Sequence, residues 1–264
     1  MGQLSCGAIV PDNWKGLKWV YDMAFAPTGL TQKLIEELIG FQNQHDFVTL
    51  YKSYSWRNDT YENGFPDILS LEELLLECDR NGGISLQAVR QVAQWGKLRN
   101  PARIEGKAIV LPQRTLHETG TISSHALAFN PIEPIRLLES NIDKGIGPTY
   151  FSKVLRFALP REYGAIDTRC VRVFGEGDHL SQQHRWLNLR ARNDGYGWYI
   201  SKTQKAWPSS YGMWVNILRF FSQQLSANCP HPPAFIQSGL RLQNEWACAD
   251  VEMALFTYAS QFTT

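Results

Sequence analysis

Apolar residues recur at three- and four-residue spacing along most of the chain, and alternating, strand-like segments are few. Leu34, Ile35, Leu38, Ile39 and Phe41 form one such stripe. A second helix is predicted from Ser70, where Ser70-Leu71-Glu72-Glu73 reads as a capping box, toward Cys78, with the Asn81-Gly82-Gly83 turn stopping it. Leu86, Val89, Val92 and Ala93 mark a third, ending near Trp95-Gly96 ahead of Lys97, Arg99 and the break at Asn100-Pro101. A short strand is expected over 106–111. Later helices are expected over 131–140, with Pro131 in its first turn, and over 149–159, 168–174, 209–225 and 245–259. Segments 42–65 and 193–209, rich in Tyr and Trp and broken by Gly, Asn and Asp, read as ordered loops. Cys229-Pro230-His231-Pro232-Pro233 is too rigid for a helix and reads as the link between the last two. The pattern predicts a mainly α class, with no internal repeat and no low-complexity tail.

Composition narrows the function classes. With 44% hydrophobic and 19% charged residues the chain can bury a sizeable core. The apolar runs, such as Lys107 to Leu111 and Val251 to Phe256, fall far short of the ~20 residues of a membrane span. Residues 1–11 have no basic start before a long apolar stretch, so no secretory signal and a cytoplasmic location are expected. The five cysteines are scattered without a C-x-x-C pair, which argues against structural zinc, an iron–sulfur cluster and a disulfide framework. His179 and His184, or His117 and His125, are not spaced as two ligands on one helix face, and no cofactor is expected. Serine-hydrolase, Walker and zincin motifs are missing. The net charge of +1 makes no global case for nucleic acid, yet residues 144–205 hold 11 basic against 5 acidic side chains. That excess suits either a solvated face or a phosphate backbone. Most of the 9 Trp, 10 Tyr and 13 Phe are expected in the core.

The segment with most chemistry runs from Leu137 to Leu155: an apolar helix, a turn Lys144-Gly145-Ile146-Gly147, and a helix opening at Pro148. Two glycines allow close backbone approach to a ligand, the free N–H groups of the second helix point at an anion, and Ile146 can anchor the turn inward. Pro160 to Phe174 continues it, with Ile166-Asp167-Thr168-Arg169 followed by Arg172-Val173. On these residues the segment at 131–175 resembles the helix-hairpin-helix DNA glycosylase superfamily, the spacing from Thr149 to Asp167 being that between the family's lysine and aspartate. The Trp95-Gly96-Lys97-Leu98-Arg99 corner and the 250–256 stretch are similar to small prokaryotic proteins with the 8-oxoguanine DNA glycosylase fold.

The resemblance implies one bilobal, mainly α helix-hairpin-helix DNA glycosylase-like unit over 1–264, cleaving the N-glycosidic bond of a modified or damaged base in DNA. Asp167 would stabilise positive charge on the sugar and activate water, although an aspartate there is also a good helix N-cap. Bifunctional members carry a Schiff-base lysine where this chain has Thr149, so no imine step is expected at that site. Lys153 lies one turn further on the same helix face, as a displaced amine or a surface charge. Lys144, Gly145, Ile146, Gly147, Thr149 and Arg169 are the candidate phosphate or nucleic-acid contacts, and Trp95, Lys97 and Arg99 the candidate pocket residues. Two other readings stay open: an enzyme acting on a modified guanine nucleoside or nucleotide, and a non-catalytic nucleic-acid-binding module. By resemblance, either fits a prokaryotic antiphage role.

Overall fold

The computed structural model describes residues 29–81, 83–110, 132–176 and 183–263, and these are mainly helical. In chain order the helices are α1 (Gln32–Gln44), α2 (Phe47–Lys52), α3 (Pro66–Arg80), α4 (Leu86–Trp95), α5 (Glu133–Asn141), α6 (Pro148–Ala158), α7 (Thr168–Phe174), α8 (Ser209–Gln224), α9 (Pro233–Gln237) and α10 (Cys248–Ser260). Three two-stranded antiparallel ribbons complete the described part: β1 (Ser55–Trp56) with β2 (Asp59–Thr60), β3 (Glu105–Gly106) with β4 (Ile142–Lys144), and β5 (Ala191–Asn193) with β6 (Trp198–Ile200). None of the helices is long and apolar enough to cross a membrane.

Local signals explain several boundaries. Thr31, Asp46 and Ser85 cap α1, α2 and α4 by accepting from Leu34, Val48 and Ala88 N–H groups. The stripe of α1 faces inward through Ile35, Leu38 and Phe41. The Ser70 cap is a correction: α3 begins at Pro66, and its first N–H groups, from Asp67 and Ile68, are taken at 2.9 and 3.1 Å by the buried carboxylate of Asp59. A cap supplied from the preceding ribbon is invisible to a local motif. The segment at 42–65 holds α2 and the β1–β2 ribbon, and 193–209 holds most of the β5–β6 hairpin, so neither is a plain loop. The strand expected over 106–111 is instead Glu105–Gly106, because β4 offers its pairing edge there. Pro131, His117, His125 and His179 lie outside the described residues.

One hydrophobic core runs from Ile35 to Ala259. Around it α6 packs on α3, α4 and α5, while α10 packs on α2, α7 and α8. Phe174 stacks on Trp186 with centroids 4.6 Å apart, and Phe41 meets both edge-on. Between the two helix groups lies a buried ionic network. Glu72 of α3 takes Arg156 of α6 at 2.8 Å and both terminal nitrogens of Arg241 at 2.7 and 3.0 Å. Arg241 Nε reaches both Asp250 oxygens at 3.0 Å, and Asp250 in turn accepts from the Ala247 N–H at the start of α10.

Glu252 is buried at the edge of this network, 3.8 Å from Arg156 Nε, and burial pushes its carboxyl up to about 7 despite the pull of Arg156 and Lys153. Its protonated form therefore adds stability that is full below the ordinary glutamate value and is lost as pH rises through about 7. Thermal melts of wild type and Glu252→Gln across this range check the sign. The wild type is expected to lose melting temperature relative to the variant as pH rises; parallel curves would contradict it.

Candidate active site

Helices α6 and α7 bring the two candidate catalytic side chains together. Gly147 precedes α6, with Pro148 at its first position, where the fixed φ suits a helix start. From there Tyr150 and Lys153 share a face three residues apart. Asp167 is the N-cap of α7: its Oδ1 accepts from the Arg169 N–H at 3.1 Å, and its Oδ2 lies 3.4 Å from Lys153 Nζ. One carboxylate oxygen caps the helix and the other faces the amine. Both side chains are nearly buried, 6% exposed for Lys153 and 14% for Asp167.

Aromatic faces surround the ammonium. Lys153 Nζ stands 5.3, 5.5 and 5.6 Å from the ring centroids of Trp56, Trp95 and Tyr150. Trp95 is fixed from behind, its indole N–H donating to Asp59 at 2.8 Å, and Trp56 donates to the Trp95 carbonyl at 3.2 Å. Gly96 leaves room for this arrangement, since a Cβ there would come within 2.9 Å of the Tyr150 ring and 3.3 Å of Lys153 Cδ. The Tyr150 hydroxyl donates to the Gly96 carbonyl, and burial, with the Asp167 charge, pushes it up to about 12. A pocket of about 400 Å³ opens above the pair. Its walls include Trp56, Gly147 and Thr149 together with β6, residues Trp198 to Ile200.

The remaining candidates divide. Thr149 and Arg169 line the pocket, although the Arg169 guanidinium leans back to donate to Ser260 Oγ at 3.1 Å. Gly147 lines it with open space at its Cβ position. Gly145 is not among the residues that line the pocket: at φ +98 its Cβ would meet the Arg103 carbonyl at 2.7 Å, so the absent side chain makes room for the chain before β3. Ile146 packs inward against the core. Lys144 lies in β4 and pairs with Glu105 at 3.0 Å, away from the pocket walls. Lys97, at φ +64, places its Nζ 4.6 Å over the outer Trp56 ring, and Trp95 backs the amine; neither lines the pocket, and nor does exposed Arg99.

Trp56, Tyr150, Trp198, Tyr199 and Ile200 are site residues that the motif reading missed. Their only signal was the aromatic density of the two unassigned segments and the three-residue step from Tyr150 to Lys153. Ser152 was missed too. Its hydroxyl donates to the Thr149 carbonyl and accepts the Ile166 N–H at 2.9 Å, tying α6 to the strand of chain that delivers Asp167.

Compared with protein-family models, curated proteins and solved structures, the chain matches none. What the pocket can do therefore follows from its own chemistry. A carboxylate beside an ammonium, at the base of an aromatic-walled pocket, suits a planar ring whose attached carbon gains positive charge. A second polar cluster, Cys229, His231 and Asp250, has ligand-type atoms within 4.8 Å of one another. It does not fit a metal ion. The Arg241 guanidinium already occupies both Asp250 oxygens, and burial pushes the Cys229 thiol far up, away from the thiolate a metal would need.

The Ser152 bridge generates a direct expectation. Ser152→Ala leaves the buried Ile166 N–H without its acceptor and is expected to cost ~1–3 kcal/mol in denaturant unfolding. An unchanged midpoint would show that the bridge does not hold α6 to the Asp167 segment.

Proposed function

We propose that the chain is a hydrolytic N-glycosidase of the helix-hairpin-helix DNA glycosylase type, releasing a modified or damaged base. The reading includes the bilobal helix-hairpin-helix form that the motif implies. The observation that carries it is the Lys153–Asp167 pair, 3.4 Å apart beneath the aromatic pocket. Asp167 lies where the resemblance puts the family's aspartate, and its free oxygen points away from the capping bond.

The chemistry balances on these two groups. As the bond between the sugar's anomeric carbon and the base nitrogen breaks, its electron pair leaves with the base, and Lys153 donates a proton to that nitrogen. The Asp167 charge offsets the positive charge left on the sugar. Water adds to the anomeric carbon and gives its proton to Asp167. Proton transfer from Asp167 to Lys153 then restores the pair. Stacking against Trp56 and Trp198 holds the extruded base and offsets the cost of unpairing it. Thr149 stands where the resemblance puts the Schiff-base lysine, so the proposed reaction includes no imine step.

Two measurements test this. Asp167→Asn keeps a capping oxygen but loses the charge facing Lys153, so base release is expected to fall roughly a hundredfold or more in a protein that still folds, with a stability loss of at most about 3–5 kcal/mol from the broken pair. Turnover at the wild-type rate would reduce Asp167 to a cap and remove the glycosidase reading. Borohydride added during turnover on a damaged or abasic strand is expected to trap no covalent adduct. An adduct lost in Lys153→Ala but kept in Lys144→Ala would replace hydrolysis with an amine attack by Lys153.

A further inference from the structure

Among the described residues five large apolar side chains are exposed, and three of them, Tyr196 (97%), Trp198 (37%) and Tyr199 (40%), fall within four positions of the β5–β6 hairpin. Rings are costly to leave in water, so such a concentration on one element marks a contact surface. The hairpin is also rigidly built. Asp194 Oδ1 accepts from the Tyr196 and Gly197 N–H groups at 3.0 and 3.2 Å, Asn193 Oδ1 accepts from Gly195 at 2.8 Å, and Gly195 takes φ +88. The tip therefore presents Tyr196 on a fixed support.

The base of the hairpin is part of the candidate active site. Trp198 to Ile200 wall the pocket, whereas Tyr196 stands beyond its lining. The Arg172 guanidinium lies against Trp198, its Cζ 4.1 Å from the ring centroid. Register places exposed Arg192 opposite Tyr199, and exposed Lys202 and Lys205 follow β6. Flat rings with cations beside them, leading away from a pocket sized for one base, match a chain of bases joined by phosphates.

We infer that the β5–β6 hairpin is a stacking platform for unpaired bases next to the one in the pocket, so that the substrate is a single-stranded or locally opened nucleic acid rather than a free nucleoside. This rests on the proposed reading for its substrate, although strand binding is measured without turnover. A free nucleoside needs only the pocket and leaves Tyr196 with no partner. Bases in an intact duplex already cover one another's faces, and a solitary ring at a hairpin tip gains nothing from them. An apolar protein partner would leave Arg192, Lys202 and Lys205 without counter-charges.

The test is fluorescence anisotropy of the full chain with labelled oligothymidylate, the matching oligouridylate and a closed duplex hairpin at ~50 mM salt. At least one of the single strands is expected to bind more tightly than the duplex. Tyr196→Ala should weaken that binding about tenfold, and Tyr196→Phe should keep it within about twofold, because the ring and not the hydroxyl makes the stack. The side chain is almost wholly in solvent, so its removal leaves the fold intact. Wild-type affinity in Tyr196→Ala, or duplex binding as tight as the tighter-binding single strand, would overturn the inference. If a Tyr196-dependent strand complex forms but no base is released, the platform stands and the glycosidase reading falls.

Discussion

Glu72 has no water to fall back on, and the geometry around it sets the rest of the site. Its carboxylate receives Arg156 from α6 and Arg241 from the segment before α10, and Arg241 continues to Asp250. Removing one partner from such a network strands a buried charge, typically at a cost of about 3–5 kcal/mol, so each member constrains the others. Arg156 sits on the same helix as Lys153, one turn away. Anchoring Arg156 therefore fixes the height and rotation of α6, and with them the depth at which the amine enters the pocket.

The other half of the site hangs from α7. Asp167 is committed on one oxygen to a helix cap and faces Lys153 with the other, so the cap and the contact to the amine draw on the same side chain without competing for it. Ser152 joins the two halves through the Ile166 N–H, which makes the 3.4 Å separation a property of packed backbone rather than of two flexible side chains. Gly96 contributes by omission, since any Cβ there would crowd Tyr150 and Lys153. The same economy explains why Gly145, which looks like a ligand-facing glycine, turns instead toward the Arg103 carbonyl. A close approach is needed there, but the chain itself makes it.

The legible parts were those set by neighbours in sequence. The stripe of α1, the apolar spacing of α4 and the Asp167 cap of α7 each involve residues close in sequence, and periodicity or a capping side chain identifies them. The start of α3 was misread because Asp59 caps it from the preceding ribbon. The aromatic segments at 42–65 and 193–209 resisted assignment for a related reason. Two-residue strands and a three-residue hairpin arm are shorter than any pattern that alternation can establish, and they are held by cross-strand pairing and ring contacts that periodicity does not encode.

By itself the sequence determined a mainly helical chain, the turn between α5 and α6, an amine at Lys153 one turn beyond Thr149 on α6, and the identity of Asp167 as a capping carboxylate. Those are consequences of spacing along one chain, where 3.6 residues per turn fixes which side chains share a face. Only the tertiary structure decided that Lys153 meets Asp167, that Trp56 and Trp198 wall the pocket while Lys144 pairs with Glu105 outside it, and that the basic excess at 144–205 includes buried Arg156 and Arg172 as well as exposed cations. Charge and aromatic counts carry no direction. Which of those groups face a ligand, and which are consumed by the core, depends on contacts between segments far apart in sequence, and those exist only once the helices have packed.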